Sequence, residues 1–135
     1  MRRFFMFAAL LVAVLSCGLD DDGANFTLQT LPVKSAEVPD EFTFNKEYNI
    51  TVTYDLPNGC HSFHSLFFQQ ENDERTVAIN AIVDLQSNCT EEVVEESFTF
   101  EILALQREDY VFKFWKGVNG DGENIFEEVV VPVNE

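Results

Sequence analysis

From Asn25 to the C-terminus, apolar residues recur mainly with a period of two, and Val, Ile, Thr, Phe and Tyr dominate. That pattern leaves little room for long amphipathic helices. Tyr48, Ile50, Val52 and Tyr54 alternate with Asn49, Thr51, Thr53 and Asp55, the mark of a strand with one buried and one wet face. Leu56-Pro57-Asn58-Gly59 then ends it with turn chemistry. Residues 61 to 70 place Phe63 and Phe67 on one face and Leu66 and Phe68 on the other, which reads as a central strand covered on both sides. Two further strands come next. Residues 75 to 85 alternate Val77, Ile79, Ala81 and Val83, and residues 97 to 105 set Phe98, Phe100 and Ile102 against Thr99 and Glu101. Between them, residues 90 to 96 surround Val93 and Val94 with glutamates and read as a loop, a short edge strand or one helical turn.

The C-terminal part reads as a hairpin. Tyr110, Phe112 and Phe114 share one side of the outgoing strand, with Val111, Lys113 and Trp115 on the other; Asn119-Gly120-Asp121-Gly122 turns the chain, and residues 124 to 133 return with Phe126, Val129 and Val131. A first strand within residues 26 to 33 and a short one at 42 to 44 bring the total to about seven or eight, the number of a two-sheet antiparallel β-sandwich. The expected fold class is therefore all-β.

Composition narrows the chemistry. The chain carries 24 acidic against 8 basic side chains, a net charge of −16. Such a surface repels nucleic acid and gives anionic lipid no basic patch to dock on. Fourteen Phe, three Tyr and one Trp supply ample apolar volume for one core in 135 residues. No internal repeat or low-complexity linker divides the chain.

The N-terminus carries an address. Arg2 and Arg3 precede an apolar run over residues 4 to 15, and Leu15-Ser16-Cys17 closes it. The run falls short of the roughly 20 apolar residues that span a bilayer, so a cleaved export signal is the better reading. These three parts resemble a bacterial lipoprotein signal peptide with its lipobox. The resemblance implies cleavage after Ser16 and acylation of Cys17, with each buried methylene adding about 0.8 kcal/mol of membrane affinity. Loss of Arg2 and Arg3 would take the net charge to −18, six basic against 24 acidic groups. An uncleaved anchor helix and a plain secretory signal are the alternatives, and all three put the folded part outside the cytoplasm. Gly18 stands where inner-membrane retention uses Asp, which favours the outer membrane. Asp20-Asp21-Asp22 resembles the export signal of surface lipoproteins in Bacteroidetes, and reads equally as a solvated tether. The expected organisation is a signal peptide at 1–16, a lipidated Cys17 and acidic tether at 17–25, and one sandwich domain at 26–135.

With Cys17 assigned to lipid, Cys60 and Cys89 form a natural pair in an oxidising compartment. A disulfide between them is expected to stabilise the fold by roughly 3 to 4 kcal/mol. Free thiols, or zinc ligands alongside His61 and His64, are the alternatives, but the two histidines are three apart on a strand and no CxxC accompanies them. Asp109-Tyr110, leading into the penultimate strand, resembles the tyrosine corner of immunoglobulin-like domains. The cysteines do not follow that family's bridge, so the resemblance is to the architecture.

Candidate sites are few. There is no GxSxG or HExxH, and the thiols are assigned, so nucleophilic and metallohydrolase chemistry lack their parts. Residues 119 to 124 resemble a calcium loop but lack its first Asp and its twelfth-position Glu, and a hairpin turn explains them more simply. Trp115 reads either as core or as an exposed stacking platform for a sugar or peptide; with Asp121 it is the candidate partner-binding residue. Asn25, Asn49 and Asn88 begin Asn-x-Thr sequons, which carry no glycan in a bacterial setting. The expectation is a non-enzymatic, outer-membrane lipoprotein of the small Bacteroidetes type, without metal or cofactor, that binds a protein or glycan partner. A periplasm-facing inhibitor or accessory subunit of an envelope enzyme is the alternative, and a hydrolase built on an acidic pair is third.

Overall fold

The computed structural model describes residues 25–135. The signal peptide, Cys17 and the Asp20–Asp22 triplet lie outside the described residues. Ten strands run in order: β1 (Phe26–Leu31), β2 (Ser35–Glu37), β3 (Phe42–Thr43), β4 (Glu47–Leu56), β5 (His61–Glu71), β6 (Glu74–Asp84), β7 (Val94–Leu103), β8 (Tyr110–Val118), β9 (Asn124–Val131) and β10 (Val133–Asn134). They make a β-sandwich, and among the described residues every regular element is a strand.

The larger sheet contains β5, β6, β1, β8 and β9, and the smaller one β2, β4 and β7. Alternation drives both. Ile50, Val52, Tyr54 and Leu56 of β4 point inward and are buried, as are Val77, Ile79 and Ala81 of β6 and Phe112 and Phe114 of β8. Phe42 joins the two layers: its ring stacks on Tyr48 of β4 at 4.6 Å and meets Tyr110 of β8 edge-on at 5.1 Å. Farther along, Phe63 of β5 stacks on Phe98 of β7 at 4.7 Å.

Three details refine the expected arrangement. First, β5 is not central. It pairs with β6 alone, while β6 takes three neighbours. A register shift between Phe63 and Ser65 reverses the facing of the later β5 residues, so Phe63, Leu66 and Phe68 face the core side and Phe67 faces out. Second, two ladders are parallel: β6 with β8, and the short β3 with β10. Third, the alternation of β9 splits its apolar residues between two faces. Phe126 takes the face away from Val129 and Val131. It lies opposite Trp115, whereas Val129 and Val131 lie opposite the core residues Phe112 and Tyr110.

The crossovers between sheets are tied by specific bonds. After β1 the chain changes layers within two residues: the Val33 N–H donates to the Trp115 carbonyl at 2.8 Å, and the Lys34 N–H to the Thr53 carbonyl at 2.7 Å. Cys60 and Cys89 form a disulfide, Cα atoms 5.2 Å apart, that joins the β4–β5 and β6–β7 crossovers. Beside it the Gly59 N–H donates to the Thr90 carbonyl at 2.8 Å, and a Cβ on residue 59 would collide with Thr90. At the other end of the sandwich, the Leu105 N–H donates to the Tyr110 phenol oxygen at 3.2 Å, closing the β7–β8 corner.

Replacing Cys89 by Ser is expected to destabilise the oxidised protein by roughly 3 kcal/mol and the reduced protein hardly at all; melting with and without reductant reads the difference, and equal melting points in both would contradict it. Tyr54 supplies a pH signature. Its phenol is buried and donates to Glu96 at 3.1 Å, and burial first, then the carboxylate, pushes its pKa up to about 12. The folded state thus favours the neutral phenol, so this stability is intact below the ordinary tyrosine value near 10 and is lost as pH rises toward 12. Tyr54→Phe should flatten that part of a denaturation profile taken between pH 9 and 12; an unchanged slope would contradict it.

Candidate functional site

The outer face of the larger sheet is not flat. β6 passes from one neighbour to another along a single edge: Ile79 to Asp84 pair with β1, antiparallel, and Glu74 to Val77 pair with β8, parallel. Ala78 lies at the change. Just beyond this level β8 leaves regular pairing with β9 through a bulge between Trp115 and Gly117, and Gly117 adopts φ 105°, a conformation that glycine accepts without a Cβ clash. The result is a depression of about 300 Å³ centred on the exchange.

Ala78, with only a methyl group to offer, is buried on this face. Phe67 stands beside it as its β5 partner and is 39% exposed. Across the gap Trp115 and Phe126 face each other as cross-strand partners on β8 and β9, both half-buried. The Trp115 indole N–H donates to Asn124 Oδ1 at 3.1 Å, which fixes the ring. Lys113 Nζ lies 4.6 Å from the Phe126 ring centroid, a cation–π contact that holds the second aromatic. On the β1 side, Thr30 Oγ1 donates to Asn80 Oδ1 at 3.4 Å and Asn80 Nδ2 to Ser65 Oγ at 3.2 Å, a polar row across three strands. Gln69 and Thr76, opposed on β5 and β6, complete the lining.

A second cleft, about 340 Å³, opens between the sheets near Arg75 and Tyr110. Arg75 is 5% exposed, and its guanidinium donates to the Asn72 and Glu74 carbonyls and to Gln106 Oε1 at 2.9, 3.2 and 2.7 Å while lying 4.9 Å from the Tyr110 ring centroid. Those bonds hold the β5–β6 turn to the β7–β8 corner. Arg75 is a clamp on the fold.

The remaining sequence candidates lie apart from the depression. Asp121 is exposed in the β8–β9 turn, where its N–H donates to Asn119 Oδ1 at 2.9 Å. Asp109 is exposed, and its carbonyl accepts from Gln106 Nε2 at 3.1 Å. His61 is buried between Asn58 Oδ1 and Gln29 Oε1, each 2.7 Å from a ring nitrogen, and His64 is exposed on Ser65. Among the described residues no cluster of three His, Cys, Asp or Glu side chains could hold a metal ion. Sequence reasoning does not single out Phe67 and Phe126 as site residues. The signal for the first is the odd spacing Phe63–Leu66 within a period-two run; for the second it is plain alternation, since Phe126 stands an odd number of residues from the inward Val129 and Val131 and so faces out with Trp115.

The architecture defines a β-sandwich domain with an aromatic depression on one outer face. The family model of the ORF11 beta-sandwich domain matches residues 50–130, well over half of the chain, and the protein belongs to that family. The matched span holds Phe67, Ala78, Trp115 and Phe126 and leaves Thr30 of β1 outside. No curated protein and no solved structure matches the chain.

Core and depression should separate in stability. Phe112→Ala removes a fully buried ring and should cost about 3 to 5 kcal/mol. Trp115→Ala, on the outer face, should cost about 1 kcal/mol. Denaturant titration checks both, and comparable losses would mean that Trp115 belongs to the core.

Proposed function

We propose that this protein is a non-enzymatic, lipid-anchored outer-membrane lipoprotein of the small Bacteroidetes type, exposed at the cell surface, whose sandwich presents the outer face of its larger sheet to a protein or glycan partner. The depression framed by Phe67, Trp115 and Phe126 carries the binding part of this reading, because aromatic rings left half-covered in a concave, polar-edged site are what ligand recognition uses. The Arg2-Arg3, residues 4–15 and Leu15-Ser16-Cys17 sequence supports the anchor, and Asp20-Asp21-Asp22 supports export to the surface. The acidic surface suits a module held by lipid rather than by charge.

Protease shaving of intact cells carrying a C-terminal tag, beside a periplasmic control, tests the location. Removal of the tag while the control survives is expected; protection equal to the control would contradict surface exposure. Cys17→Ala should move the protein out of the membrane fraction, and retention there would contradict the lipid anchor.

A further inference from the structure

We infer that the outer-face depression is a subsite for a neutral saccharide, one or two pyranose rings deep; this names the ligand class of the binding face proposed above and rests on that reading. Three features of the site select this chemistry.

The first is charge. The side chains lining the depression are all uncharged, in a chain where 24% of residues are Asp, Glu, Lys or Arg and the net charge is −16. Lys113, beside the lining, is held over the Phe126 ring at 4.6 Å and faces Glu74 Oε2 at 3.9 Å, so its charge is already engaged and the lining itself presents no ion to an anionic or a cationic ligand. An uncharged ligand requires none.

The second is the pairing of surface types. A pyranose has an apolar face of C–H groups and a periphery of hydroxyls. Phe67, Trp115 and Phe126 supply flat apolar surface for the first, on both sides of Ala78. Thr30, Gln69, Thr76 and Asn124 supply neutral hydroxyl and carboxamide groups for the second. Their own bonds leave capacity: Asn124 uses its oxygen on Trp115 and keeps its amide donors, and the Thr30 hydroxyl donates to Asn80 and keeps its lone pairs. A lipid tail would bury these polar groups without partners.

The third is size. About 300 Å³ is the lower end of the range for small-molecule sites, too small for a helix or a folded partner and sufficient for one or two sugar rings. The floor at Ala78 sets that depth, since any longer side chain there would fill the space.

Trp115 is the single tryptophan of the chain, so its emission reports on this site alone. The full-length acylated protein in detergent is titrated with neutral tetrasaccharides of glucose, mannose and xylose in α and β linkage, with tetragalacturonate as the anionic control. A saturable change in emission is expected with at least one neutral oligosaccharide and none with the anionic one. Phe67→Ala and Phe126→Ala should each weaken it about tenfold, the scale of losing one stacked ring. Ala78→Leu should abolish it while the melting temperature and cell-surface exposure remain. Silence toward every neutral sugar, or an undiminished response in Ala78→Leu, would overturn the inference. Shaving reads location independently, so a silent titration with the tag still removed rejects the saccharide and leaves the surface module standing.

Discussion

One strand in this sandwich has more neighbours than edges. β6 is hydrogen-bonded along one side to β5 throughout its length, and its other side is divided between β1 and β8, which run in opposite directions. Two strands cannot occupy the same edge, so one must end where the other begins. β1 ends at Leu31 and crosses to the smaller sheet, β8 bulges at Lys116–Gly117, and the outer face is left open above Ala78. The depression is thus a consequence of backbone hydrogen bonding, and its aromatic frame comes from β5 on one side of Ala78 and from β8 and β9 on the other.

The rest of the fold keeps that junction rigid. Phe42 packs between Tyr48 and the Tyr110–Phe112 pair, joining the sheets near one end. The Cys60–Cys89 disulfide ties the two crossovers. Between them lies a continuous core of β4, β6 and β8 side chains. The ion pairs contribute far less: Lys34 with Glu95 and Asp55 is solvent-exposed on both sides, and such pairs are worth a fraction of a kcal/mol. Stability resides in the interior and in the bridge, which frees the outer face to differ from a flat polar sheet.

The sequence is most legible where alternation is unbroken. β4, β6 and the outgoing strand of the hairpin follow their period-two patterns, and the disulfide follows from setting Cys17 aside. Legibility fails at the β5 bulge, because one inserted residue exchanges the two faces: Phe67 lies on the face that a regular reading denies it, whereas Phe126 follows the alternation of β9. It fails also for β6. A buried alternating run fits any interior strand, and nothing local in residues 74–84 tells that β8 arrives parallel to it. In the larger sheet β6 stands between β5 and β8. Trp115, read as either core or platform, proves half-buried on the outer face, a position decided by its strand partners rather than by its own neighbours in sequence.

Family membership establishes the sandwich, and the proposed role rests on what that sandwich exposes. If β6 holds both β1 and β8, the depression must exist; if β8 pairs with β5 instead, Trp115 and Phe126 frame nothing. Cross-strand nuclear Overhauser contacts in the isotopically labelled full-length protein decide between these directly. The β6 exchange predicts contacts of Arg75 with Phe112 and of Val77 with Phe114 in parallel register, together with Leu31 against Ile79. Contacts linking β8 to β5, with none from β8 to β6, would contradict it.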